Sequence, residues 1–86
     1  MILNHPAGFN VGLDHHPDNP GEPFSENRTG LDHVGFHVAN QAELEAWEIH
    51  LGELGVAHAP IVDKEWGSFL VFRDPDNIQL EFITFA

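Results

Sequence analysis

The segment Leu31–Val38, LDHVGFHV, carries two histidines four positions apart, and its chemistry depends on the conformation that displays them. Side chains alternate across an extended chain. Leu31, His33, Gly35 and His37 would therefore share one face, and Val34, Phe36 and Val38 the other. Near the C-terminus Gln79-Leu80-Glu81-Phe82 alternates in the same way, with Leu80 and Phe82 on one side and Gln79 and Glu81 on the other. If these two strands lie close in one sheet, His33 and Glu81 point into one space, with His37 and Gln79 near them. An imidazole nitrogen and a carboxylate oxygen each bind a zinc-like ion at about 2.0–2.2 Å, and the same donor types serve iron, manganese or nickel. Taken alone, the spacing is explained by a water-facing sheet surface that binds no metal.

The chain has no cysteine, so any metal must be held by histidine, carboxylate and water. Of the remaining histidines, His15 and His16 are adjacent and diverge in an extended loop, while His5, His50 and His58 fall in turns or on polar surfaces. His37 is a candidate for contact with a substrate. So is Trp66, which falls in a turn between strands and could close over a bound molecule.

The elements that must position these residues are readable. Leu31–Val38 reads as a strand. Asn40 then caps a helix, with Glu43 completing a capping box. Within Gln41–Leu54, residues Leu44, Trp47, Leu51 and Leu54 recur at helical spacing, and Gly55 supplies a stop. Glu43, Glu45, Glu48 and Glu53 form a solvated helix face. Val56–Val62, Ser68–Arg73 and Ile78–Thr84 read as three further strands, the last two joined by a turn at Asp74-Pro75-Asp76-Asn77. The order over residues 31–86 is β-α-β-β-β. Residues 14–30 are dense in Pro, Asp, Asn and Gly and read as a connector. Residues 1–13 align with Leu70–Phe82: Pro6 falls on Pro75, Gly8 on Asn77, Phe9 on Ile78, Val11 on Leu80 and Leu13 on Phe82. The chain thus reads as opening with the closing hairpin of an earlier copy of the same unit.

Fourteen acidic residues against three basic ones give a formal charge of −11, which disfavours nucleic acid and anionic lipid as partners. No apolar run reaches the roughly 20 residues of a membrane span, and the start lacks the pattern of a signal peptide, so the expectation is a cytoplasmic protein. At 86 residues with 42% hydrophobic content the chain can build a core, yet a domain of this size buries only about 60–65% of its unfolded surface.

"GLDHVGFHV", the capped helix behind it and "FLVFRDPDNIQLEF" together resemble one module of the vicinal oxygen chelate superfamily, which includes glyoxalase I, extradiol dioxygenases and bleomycin and fosfomycin resistance proteins. The resemblance implies an α+β fold. One β-α-β-β-β module would form a cupped mixed sheet with a helix on its outer face, preceded by the closing hairpin of a truncated first module. It implies a divalent metal (Zn, Ni, Mn or Fe) held by His33 and Glu81, with Glu81 also the catalytic base. Gly12 stands where the first module would offer a ligand, so completion of the site calls for further chain or a second copy, and a homodimer is expected. The function implied is a glyoxalase-type enzyme acting on a small oxygen-chelating molecule through an enediolate-like intermediate, a lyase or isomerase. Extradiol ring cleavage is the alternative, set back by the absence of the tyrosine such enzymes employ. A metal-free binding or resistance protein is the third reading.

Overall fold

The computed structural model describes residues 1–86 and contains β1 (Ile2–His5), β2 (Phe9–Gly12), β3 (Val34–His37), α1 (Gln41–Glu53), β4 (Val62–Lys64), β5 (Gly67–Arg73) and β6 (Gln79–Phe85). β1 and β2 form a separate antiparallel hairpin. The other four strands make one sheet in the order β3-β6-β5-β4. β3 runs parallel to β6 while the remaining pairings are antiparallel, so the sheet is mixed, as the resemblance implied.

The helix begins where a side chain can satisfy its free amides. Asn40 takes an extended conformation and its side chain accepts from the Glu43 N–H at 2.9 Å, while the Glu43 carboxylate accepts from the Ala39 N–H at 2.9 Å. Asn40→Ala is expected to cost about 1 kcal/mol, read as a lowered midpoint in thermal unfolding followed by circular dichroism. The helix ends in a Schellman arrangement: Gly55, at φ 71, donates to the Gly52 carbonyl, and Val56 donates back to Leu51. That reversal carries Leu54 off the apolar stripe, leaving it 63% exposed, and corrects the expectation that it packs inward. Leu44 and Leu51 do pack inward, forming the core with Val38 and Leu70, and Trp47, Phe72 and Phe82 close around it.

Two strands are shorter than the sequence suggests. The first begins at Val34 rather than Leu31, so His33 stands just before it. The expected Val56–Val62 strand survives only as an isolated bridge between His58 and Phe72, with β4 starting at Val62. Backbone bonds from Ala59 to Val71 and from Arg73 to Ala57 continue the pairing for a short distance. Pro60 then removes a ladder donor. The last strand is shifted by one residue, to Gln79–Phe85. Glu48 also has a job the charge pattern did not suggest, since its carboxylate accepts from the Ile61 N–H at 3.1 Å and ties the helix to the approach of β4.

The hairpin β1–β2 repeats the register of β5–β6. Asn4 pairs with Asn10 as Arg73 pairs with Gln79, Leu3 with Val11 as Phe72 with Leu80, and Ile2 with Gly12 as Val71 with Glu81. Gly8 and Asn77, superposed by the sequence alignment, both have positive φ, 97 and 67. The connector lies against the second of these turns. Phe24 exchanges bonds with Asp76 and Asn77, and Arg73 reaches Glu26.

A candidate metal centre at the open face of the sheet

Parallel pairing of β3 with β6 sets Val34 opposite Leu80 and Gly35 opposite Glu81. Leu80 and Phe82 face the helix, so Glu81 faces away from it, on the side of Gly35. His33, one residue before β3, turns its ring to this side, and His33 Nε2 lies 3.6 Å from Glu81 Oε1. Gly35 eases that approach, because a Cβ there would lie 3.2 Å from Glu81 Oε1 and the carboxylate would have to shift by a few tenths of an ångström. The lack of a side chain at position 35 is thus part of how the sequence fits a carboxylate beside the imidazole.

The other ring nitrogen is engaged as well. His33 Nδ1 lies 2.6 Å from Asp32 Oδ1. This hydrogen bond is the foremost reason that the His33 pKa sits above the usual imidazole value. The charges of Glu81 and Asp32 add to it and partial desolvation opposes it. A folded-state pKa above the unfolded value of about 6.5 means that protonated His33 favours the fold. That contribution is complete below the unfolded pKa and is lost as pH rises through the folded one. An NMR titration of the His33 ring should give a midpoint above about 6.5 that falls in Asp32→Ala; a midpoint at or below that value contradicts the assignment.

Two donors separated by 3.6 Å fit a shared ion. Ligand atoms each about 2.1 Å from a metal and subtending 90–120° lie roughly 3.0–3.6 Å apart. The donor types are also right for zinc, iron, manganese or nickel. No third His, Asp or Glu converges on the same point, and no group of three such residues elsewhere in the chain is arranged to hold a metal. The chain therefore presents a pair of ligands.

The other candidates lie farther along the same face. His37 pairs with Ile83 in the register and sets its ring 5.6 Å from Phe85. Trp66, half exposed, stacks on Phe69 at 5.8 Å and lies 5.9 Å from Phe85. His37, Phe85, Trp66 and Phe69 form an aromatic row, and no hydrogen bond, ion pair or ring stacking joins His37 or Trp66 to the His33–Glu81 pair. Gln79 is held by Arg73, whose Nη2 donates to its side-chain oxygen at 3.0 Å. His15 and His16 instead line a hollow between the connector and the β5–β6 turn, together with Arg28 and Asp76. Periodicity did not single out Asp32, because neighbouring residues of a strand point to opposite faces. The signal lay in the dipeptide Asp-His standing just ahead of the strand.

No family model matches the chain. The glyoxylase/bleomycin resistance protein/dioxygenase domain from Frankia sp. EAN1pec superposes with a TM-score of 0.87 at 36% identity, covering 94% of this chain and 60% of that one. A glyoxalase family protein from Enterococcus faecalis gives a TM-score of 0.57 at 28% identity, over 77% of this chain and 52% of that one. In sequence, 78 residues are 28% identical to MhqA of Bacillus subtilis (strain 168), which is named as a candidate ring-cleaving dioxygenase, spanning 91% of this chain and 24% of that protein. The chain therefore shares the fold of glyoxalase, bleomycin resistance and dioxygenase proteins, the vicinal oxygen chelate type, and is similar to them in sequence. The chain spans about a quarter of the B. subtilis protein and three fifths of the Frankia domain. No helix is long and apolar enough to cross a membrane.

Proposed function

We propose that His33 and Glu81 are half of a divalent-metal site in a glyoxalase-type enzyme whose substrate is a small molecule offering two neighbouring oxygens. The observation that carries this reading is the 3.6 Å approach of His33 Nε2 to Glu81 Oε1 on the sheet face away from the helix. A bound divalent ion supplies Lewis acidity toward substrate oxygen. His33 offers the neutral Nε2 lone pair, and Glu81 offers a carboxylate that can also take a proton from a carbon next to a carbonyl. Trp66, Phe85 and His37 form an aromatic wall that receives the body of the substrate.

Two ligands need a complement, and we assign it to a second copy of the chain or to further chain of the same kind. The repeated register of β1–β2 and β5–β6 supports residues 1–13 as the end of one module and residues 31–86 as a whole one, joined by 14–30. Exposed apolar residues on the open face and on the separate hairpin support a homodimer, since Phe85 in β6 is 60% exposed and Ile2 in β1 is 69% exposed. Light scattering combined with elemental analysis tests both points: a dimer that retains a divalent metal is expected, and a strict monomer at micromolar concentration without metal overturns the reading.

Ring cleavage is the second reading, favoured by the likeness to the B. subtilis protein across most of the chain. Oxygen consumption with an ortho-diphenol in the presence of ferrous iron would select it over isomerase or lyase chemistry. Tight binding of a small molecule by metal-free protein, with no metal uptake, would select a binding role.

A further inference from the structure

We propose that Asp32 is a positioning residue that fixes the tautomer and aim of the His33 ring. The proposal rests on His33 being a metal ligand, but its central measurement does not need the metal. His33 contacts two carboxylates through its two nitrogens: Nδ1 meets Asp32 Oδ1 at 2.6 Å, and Nε2 faces Glu81 Oε1 at 3.6 Å. The first distance is a full hydrogen bond, and the second is too long for one. A neutral imidazole carries one proton. The closer acceptor draws it to Nδ1, so Nδ1–H donates to Asp32 and the Nε2 lone pair is left facing the Glu81 carboxylate.

Two lone-pair-bearing groups turned toward each other repel unless a cation or a proton lies between them. Asp32 therefore builds an arrangement that suits a cation at the His33–Glu81 gap and is disfavoured without one. The reverse tautomer would put the proton on Nε2, facing Glu81, and its lone pair on Nδ1, facing Asp32, with none to give at the gap. A carboxylate behind a histidine also makes the ring a stronger donor. The local chain supports this division of labour. Asp32 and His33 both precede β3, so no ladder pairing fixes the His33 ring, and the structure gives it no side-chain partners other than these two carboxylates. Gly35 clears the space that the ring and the Glu81 carboxylate share.

The experiment compares the full chain with Asp32→Ala and Asp32→Asn, above the pH at which His33 is protonated. Two-bond 1H–15N correlation of the imidazole nitrogens reads the tautomer in metal-free protein, and titration with Zn2+ alone reads affinity, with His33→Ala as the background for the other histidines. The wild type should show Nδ1–H at His33. Asp32→Ala should shift it toward Nε2–H and weaken Zn2+ binding about tenfold, at the lower end of the range for such partners because Asp32 is exposed. Asp32→Asn keeps an acceptor oxygen on the same stem and should retain the tautomer, with affinity between the two. An Nε2–H wild type, or a tautomer indifferent to Asp32→Ala, overturns the proposal. If the tautomer responds as stated while wild type and His33→Ala bind Zn2+ equally, the positioning role stands and the metal reading falls.

Discussion

Alanine at His33 or at Glu81 is expected to abolish specific uptake of a divalent ion, with a loss of at least a hundredfold in affinity for either change. The size follows from ligand number. Each chain contributes only this pair, and removing one leaves a single donor that competes poorly with water. Both substitutions should leave the fold in place: the His33 side chain is 40% exposed, and Glu81 points away from the core formed by Val38, Leu44, Leu51 and Leu70. Glu81→Gln sharpens the test, since it keeps the volume beside Gly35 and an oxygen donor but removes the charge, and should still lose most of the affinity. Elemental analysis after dialysis, with circular dichroism to verify folding, decides the matter. Metal content that survives both alanine variants moves the site elsewhere in the chain or removes it.

The parts of this structure legible in the sequence are those where a local rule and the tertiary contacts agree. The Asn40 cap, the Gly55 stop and the inward Leu44 and Leu51 follow from helix chemistry, and packing against β5 and β6 leaves them unchanged. The shared side of His33 and Glu81 was legible for a similar reason: alternation fixed the side of Glu81 within β6, and the parallel partner β3 set Gly35 beside it. The failures arise where pairing partners decide. Leu31–His33 alternates like a strand but lies outside the β3–β6 ladder, so His33 takes its aim from Asp32 and not from the pleat. Val56–Val62 has the composition of a strand, yet Pro60 interrupts its donors, and only the His58 bridge and β4 remain. The bond from Ile61 to Glu48 joins residues that no periodicity relates. Which strands became neighbours, and hence that His37 faces Phe85 while Gln79 is taken by Arg73, required the sheet order.

Gly67→Ala should be the most damaging single-methyl addition in the chain. Gly67 opens β5, pairs with Lys64 of β4 and with Phe85 of β6, and has φ 151, a conformation that L side chains rarely adopt. A Cβ there would overlap the Thr84 carbonyl oxygen and lie 2.9 Å from the Phe85 Cα. Both obstacles are backbone, so no rotamer change relieves them. The strand pair must separate, breaking the ladder next to the buried Ser68 and Thr84 and releasing the bond from the Ala86 N–H to the Trp66 carbonyl. A cost above about 3 kcal/mol is expected, a large part of the roughly 5–15 kcal/mol that a domain possesses. Gly55→Ala separates the two contributions, because Gly55 also has positive φ (71) but nothing within 4 Å of a Cβ, and it should cost only about 1 kcal/mol. In thermal unfolding of an 86-residue chain, about 1 kcal/mol corresponds to roughly 4–8 °C. The Gly67 variant should therefore melt at least about 12 °C below wild type or fail to fold, and equal shifts for the two variants would show that φ alone, and not the close approach of β6, dictates glycine at position 67. The same separation would move Trp66 away from Phe85, so a partly folded Gly67→Ala protein should show altered tryptophan fluorescence while its helix signal persists.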